Sequence, residues 1–235
     1  MQEKDTIQSA IAQVSARIAA ACQRAGRKPE EVTLIAVSKT MPVEAIREAM
    51  ACGVKEFGEN RPQELRDKQA EISEPLHWHM IGSLQTNKLK YVIGKTVLIH
   101  SVDSIHLAEA IEEASAKKNL VTDILLEINI AGEASKHGIS PEDLEPLVRE
   151  IAKLVHVKIR GLMTVAPYTE NAEENRIHFK KMKQIMVDIN SENIDNVYMD
   201  VLSMGMTGDY EIAVEEGATL VRVGTGIFGH RMYPV

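Results

Sequence analysis

The sequence predicts an α/β fold, a (β/α)8 barrel of the TIM type with one extra N-terminal helix. Eight short runs rich in Val, Ile, Leu and Thr alternate with eight stretches of helical periodicity. Such alternation builds parallel βαβ units, and eight of them close into a barrel. No G-x-G-x-x-G follows the first strand, which argues against a doubly wound open sheet. No composition shift, Pro-rich linker or low-complexity segment interrupts the chain, so residues 1–235 read as a single domain.

In order, residues 5–25 place Ile7, Ile11, Val14, Ile18 and Cys22 on one helical face before Gly26 stops the helix. The first strand, residues 32–37, ends in Lys39 and is followed by a helix over 43–52 with Val43, Ile46, Ala49 and Met50 inward. Gly53 separates that helix from a strand over 54–57, and Gly58-Glu-Asn60 reads as the turn before a helix opened by Pro62 and running to residue 71. Strands over 77–81 and 97–102 flank a short helix at 85–92, and a helix over 104–117 follows. The fifth strand, 123–129, leads through a longer loop to a helix over 141–154 whose inner face is Leu144, Leu147, Val148 and Ile151. Strands over 157–164, 197–204 and 219–224 complete the set, with helices over 172–190 and 208–216 between them.

Composition narrows the function. A net charge of -7 argues against a general nucleic-acid or membrane-surface binder, while leaving room for a small basic site. Cys22 and Cys52 are too few for a disulfide scaffold and lack metal-ligand spacing, which points to a reducing compartment. The N-terminus has no apolar signal core and no run approaches membrane-spanning length. The expectation is a cytoplasmic protein.

Barrels of this kind carry their chemistry at the carboxyl ends of the strands. Thr33, Ile35, Val37 and Lys39 share parity, so an amine follows three β-branched residues on one face of the first strand. Apolar surroundings favour the neutral amine, a nucleophile towards carbonyls. Two readings are open at Lys39, a Schiff-base lysine or a side chain that snorkels to the barrel rim. The loops after strands seven and eight commonly bind phosphate, and there Ser203, Gly205, Gly224 and Thr225 supply small residues, hydroxyls and close backbone approach. The alternative is that these glycines only let a tight barrel turn. An aldehyde-reactive lysine opposite a phosphate cradle is the layout that pyridoxal 5′-phosphate (PLP) requires.

Arg222 shares parity with Gly224 and is expected to face the cofactor ring, where a guanidinium donates to the pyridine nitrogen and leaves it unprotonated. The alternative is an ion pair with Glu215 or Glu216 at the rim. His79 reads either as a contact to the cofactor or as a satisfied core histidine. His77 and His79 lack a third ligand at metal spacing, so no metal site is expected. Met163, Met204 and Met206 are candidates to line a pocket, the other methionines core.

Six ordered motifs run through nearly the whole chain: Val37-Ser-Lys39-Thr, Phe57-Gly-Glu-Asn60, His77-Trp-His-Met-Ile-Gly-x-Leu-Gln-x-Asn-Lys88, Gly161-Leu-Met-Thr, Ser203-Met-Gly-Met and Val221-Arg-Val-Gly-Thr. Together they resemble the pyridoxal phosphate homeostasis proteins, single-barrel relatives of alanine racemase. The resemblance implies a Schiff base on Lys39, with Asn60, His79, Met163, Ser203, Arg222, Gly224 and Thr225 near the cofactor. This chain departs from the family at Arg61-Pro62, where an aromatic-aliphatic pair is common, and at Thr207, where serine is usual.

The resemblance further implies a carrier or regulator of vitamin B6 supply. Such a protein buffers PLP or delivers it transiently to apo PLP enzymes, and affects amino-acid and keto-acid balance indirectly. Two-domain racemases draw a second base from a partner subunit beside a C-terminal β-domain, which is not expected here; a monomer without turnover is. The rivals are a PLP-dependent amino-acid racemase of low activity and a cofactor-free barrel using Lys39 as an aldolase-type Schiff base on a sugar phosphate. Should Lys39 not be the anchor, Lys136 is the next candidate.

Overall fold

The computed structural model describes residues 6–133 and 137–229. Its centre is a closed barrel of eight parallel strands that pair in sequence order, the last returning to the first. The strands are β1 (Thr33–Val37), β2 (Glu56–Glu59), β3 (His77–Met80), β4 (Leu98–Val102), β5 (Thr122–Glu127), β6 (Val157–Met163), β7 (Val197–Ser203) and β8 (Leu220–Val223). The helices are α1 (Ile7–Arg24), α2 (Val43–Ala51), α3 (Pro62–Glu71), α4 (Ile105–Ala116), α5 (Leu144–Ile151), α6 (Arg176–Ser191), α7 (Tyr210–Glu215) and α8 (Thr225–Phe228).

Parallel neighbours need a crossover, and the crossover helices cover the outer face of the barrel. Each strand therefore carries two buried faces. Ile99, Ile124 and Leu126 belong to the large hydrophobic cluster shared with the helices, while their neighbours Leu98 and Leu125 join Met163 in a separate cluster. This period-two division separates the outer core from the barrel interior. The extra helix α1 is capped by the Thr6 hydroxyl, which accepts from the Ser9 N–H at 3.2 Å, and buries Ile11, Val14, Ile18, Ala21 and Cys22. Both Cys22 and Cys52 are free thiols.

Three local expectations shift. Strand β2 begins and ends two residues later than its β-branched residues imply, taking in Gly58 and Glu59. Gly58 sits in the strand because a Cβ there would lie 2.9 Å from Ile81 Cδ1 and 3.0 Å from Ile35 Cγ2. The expected helix at 85–92 is a 3₁₀ segment, Thr86–Tyr91, and the helices expected over 141–154 and 172–190 each begin as one 3₁₀ turn, Pro141–Asp143 and Ala172–Asn175. Helix α8, only four residues long, has no periodicity to announce it and was not expected. No helix among the described residues is long and apolar enough to cross a membrane.

Candidate functional site

Lys39 leaves β1 at its carboxyl end, and three side chains from β2 and α3 fix the backbone around it. The Ser38 N–H bonds to the Gly58 carbonyl at 3.1 Å, and the Ser38 hydroxyl donates to Glu59 Oε1 at 2.6 Å. The Lys68 ammonium donates to the Ser38 carbonyl and to Glu59 Oε1, each at 2.7 Å. Glu64 in turn accepts from the Thr40 N–H at 2.5 Å. Thr40 is β-branched yet has φ +64°, a conformation such residues rarely adopt, so the turn after Lys39 is held rather than relaxed. Glu59 is fully buried, and burial raises its carboxyl pKa while the Lys68 charge opposes that rise.

Lys39 opens onto a cavity of about 600 Å³ at the carboxyl end of the barrel, shared with Asn60, Arg222, Gly224 and Thr225. One wall is the segment Val165–Thr169 after β6, the other Met206–Asp209 after β7. Asn60 is set by a backbone contact: a Cβ on Gly82 would lie 2.6 Å from the Asn60 carbonyl oxygen. The Ser101 hydroxyl ties the Gly82 carbonyl down at 2.7 Å. At the far side the Thr207 hydroxyl accepts from the Gly226 N–H at 3.2 Å, so Thr207 performs a hydroxyl's task in joining the two loops. A larger groove of about 930 Å³ lies against α3 on the barrel flank and shares only Asn60 with this cavity. It lacks both Lys39 and Arg222, and for that reason is not taken as the site.

Arg222 is buried and forms part of the cavity wall. Its guanidinium donates to the Ser203 hydroxyl at 2.6 Å and to the Thr164 carbonyl at 2.8 Å. A guanidinium has five N–H donors, so these two bonds do not exhaust it. Burial pushes its pKa down to about 10, against the pull of Glu127 and Asp209, and it remains a cation at neutral pH. The alternative rim pairing is not adopted. Glu215 is engaged by Arg24 at 2.6 Å and Arg176 at 2.7 Å, and Glu216 by Arg176 at 2.5 Å.

Behind Arg222 a line of polar side chains crosses the barrel. Ser203 Oγ lies 3.0 Å from His100 Nδ1, and His100 Nε2 lies 2.9 Å from His79 Nδ1. His79 Nε2 meets Glu56 Oε2 at 2.9 Å, and the other Glu56 oxygen meets His77 Nδ1 at 2.6 Å. Strands β4 and β7 are three places apart in the barrel, so the His100–Ser203 bond passes through the interior. Burial holds the His100 pKa well below the ordinary histidine range, reinforced by His79 and Arg222. Burial raises the Glu56 pKa, but the hydrogen bonds from His79 and His77 outweigh it and leave it lowered.

Of the residues singled out in the sequence, the cavity brings together Lys39, Asn60, Arg222, Gly224 and Thr225. Ser203 and His79 are buried behind Arg222, with both His79 ring nitrogens engaged inside the barrel. Met163 packs in the interior apolar cluster. Gly205, at φ +93°, accepts the Arg222 backbone N–H at 3.0 Å, and a Cβ on it would lie 2.6 Å from Ala213 Cβ. Of the methionines, Met206 lines the cavity and Met204 is core. Lys136 lies outside the described residues. Sequence reasoning missed His100, Glu56, Glu59 and Lys68; a lone histidine within the apolar run Leu98-Ile-His-Ser-Val102 was the available signal. No group of three or more His, Cys, Asp or Glu side chains among the described residues is placed to hold a metal.

A family model described as alanine racemase, N-terminal domain, matches residues 10–232. A pyridoxal phosphate homeostasis protein of Aquifex aeolicus is 47% identical over 224 residues, covering 95% of this chain and 97% of that protein. An unknown protein from Bifidobacterium adolescentis has a similar solved structure, with a TM-score of 0.87, 36% identity and 94% of each chain covered. PipY of Synechococcus elongatus, solved with PLP bound, gives a TM-score of 0.80 at 38% identity, covering 92% of this chain and all (100%) of that one.

Proposed function

The chain belongs to the pyridoxal phosphate homeostasis protein family, and on that premise we propose that it holds PLP in the barrel-end cavity and serves intracellular vitamin B6 balance. The observation that carries this reading is the single cavity lined by Lys39, Asn60, Arg222, Gly224 and Thr225. The groups present suit the cofactor. Lys39 brings an amine to the cavity for its aldehyde, Arg222 a guanidinium for its ring, and Gly224 and Thr225 small residues with a hydroxyl for its phosphate. The Lys39 amine condenses with the aldehyde, losing one water, to form a Schiff base. Arg222 donates to the pyridine nitrogen and cannot protonate it, which makes the ring a poor electron sink.

That chemistry favours a carrier without turnover over a racemase. The protein acts as a cytoplasmic monomer that buffers PLP or passes it transiently to apo PLP enzymes, with amino-acid and keto-acid pools affected downstream. The two free thiols suit a reducing compartment. The test is an absorbance spectrum of the purified protein before and after borohydride reduction, followed by peptide mapping. A visible band that reduces and leaves its tag on Lys39 supports the reading, and Lys39→Ala should lose the band while staying folded. A colourless protein that takes up no added PLP would overturn it. Racemisation of any L-amino acid by the loaded protein would instead favour the enzyme reading.

A further inference from the structure

Hydrogen-bonding rules fix a direction for the line of side chains behind Arg222. A guanidinium only donates, so the Ser203 oxygen accepts from Arg222 at 2.6 Å, and its own proton is free to go to His100 Nδ1 at 3.0 Å. Nδ1 of His100 is then bare and its Nε2 carries the proton, which is donated to His79 Nδ1 at 2.9 Å. His79 must likewise be protonated on Nε2, which donates to the Glu56 carboxylate at 2.9 Å. Every donor then meets an acceptor with both imidazoles neutral. With both imidazoles neutral, the reverse order would set a bare His79 Nε2 against a carboxylate oxygen and leave the Ser203 hydroxyl with no acceptor in the chain.

From this we propose that Glu56, His79, His100 and Ser203 form a one-directional relay that positions Arg222 as donor to the cofactor ring nitrogen, with Glu56 as its terminal acceptor. The proposal rests on the PLP reading above. The relay runs from the amino-end rim, where Glu56 and His77 begin β2 and β3, to the cavity at the opposite end. Each link polarises the next, so a carboxylate at one rim strengthens Ser203 as an acceptor at the other. Ser203 and Thr164 hold two guanidinium N–H groups of a side chain that lines the cavity. Arg222 also faces Glu127 from β5 and Asp209 from the loop after β7, and His100 faces the Arg222 cation and the His79 ring. Glu56, His79 and His100 are thus positioning residues; they act on the cofactor through Arg222.

Nitrogen-15 NMR of histidine-labelled protein, with no cofactor added, tests the relay directly. His79 and His100 are expected as neutral Nε2–H tautomers. An Nδ1–H tautomer or an imidazolium at His100 would overturn the proposal, whether or not PLP binds. The coupling is then read with ring-labelled PLP. In Glu56→Ala the ring-nitrogen resonance should move and PLP uptake should weaken about three- to tenfold, since the terminal acceptor is gone. Glu56→Gln, which keeps an acceptor oxygen, should move the resonance less and serves if the alanine variant does not fold. A ring resonance identical to wild type in a folded Glu56→Ala protein would also refute the relay. If the wild type takes up no PLP, the functional reading falls while the tautomers still decide the relay.

Discussion

The Lys68 ammonium donates to the Ser38 carbonyl at 2.7 Å, one residue before Lys39, and the same nitrogen meets Glu59 and Glu64 at 2.7 Å each. A helix on the outside of the barrel thereby grips the end of the strand that presents the amine. The site is built from both sides. The interior relay stands behind Arg222, and this ion cluster stands behind the turn that carries Lys39.

Removing one member of a buried charge cluster strands the others. Lys68→Met leaves Glu59 buried without its cation, and is expected to lower stability by about 3–5 kcal/mol in urea unfolding. The double change Lys68→Met with Glu59→Leu should recover most of that loss, because neither charge then needs solvation. A single variant with the wild-type midpoint would show that the cluster contributes nothing.

Thr40 adopts φ +64° beside Lys39. Glycine takes that conformation without a Cβ conflict, so Thr40→Gly should stabilise the fold by about 1 kcal/mol after its greater chain entropy is counted. Held apart from the Thr40 strain, Lys39 should gain freedom and load PLP with a lower affinity. A destabilised Thr40→Gly protein would mean that the turn is unstrained.

Gly82→Ala tests the placement of Asn60. The added Cβ would meet the Asn60 carbonyl at 2.6 Å and its Cα at 2.7 Å, and backbone atoms cannot swing aside as a side chain does. Stability should fall by about 1–3 kcal/mol, and PLP affinity, followed by absorbance titration, should fall about tenfold. Unchanged affinity in a folded variant would remove Asn60 from the site.

The barrel was legible because apolar runs rich in β-branched residues alternate with stretches of helical period, and the ends of the first and last of those runs carry Lys39 and Arg222, which line one cavity. Strand limits were less so, since Gly58 and Glu59 read as a turn until the crowding by Ile35 and Ile81 is known. Glu56, His100 and Lys68 were invisible for a different reason. Each is a polar residue whose partner lies on another strand or helix, and pairings such as His100 with Ser203, 103 residues apart, leave no local pattern. Sequence motifs marked Lys39 and Arg222 together with Ser203 and His79 behind them, and passed over Glu56, His100 and Lys68.

Acid should expose the relay. Burial keeps His100 neutral in the barrel, with a pKa well below its unfolded value of about 6.5. The unfolded chain therefore takes up a proton first, and the stability associated with neutral His100 is full above about pH 6.5 and is lost as pH falls below it. Glu56, held low despite its burial, acts in the same sense at more acid pH, below an unfolded value of about 4.3. Glu59 and Glu127 are raised by burial and act in the opposite sense, favouring the folded state as they take up protons. A comparison of variants separates these contributions. Wild-type stability should decline between about pH 6.5 and 5 with a His100 contribution of up to about 1.4 kcal/mol per pH unit. His100→Gln should start less stable at pH 7.5 and decline less steeply across that window, since it has no proton to gain on unfolding. Parallel pH profiles for the two proteins would show that His100 is not held neutral by the fold, and with that the direction assigned to the whole line from Arg222 to Glu56 would fail.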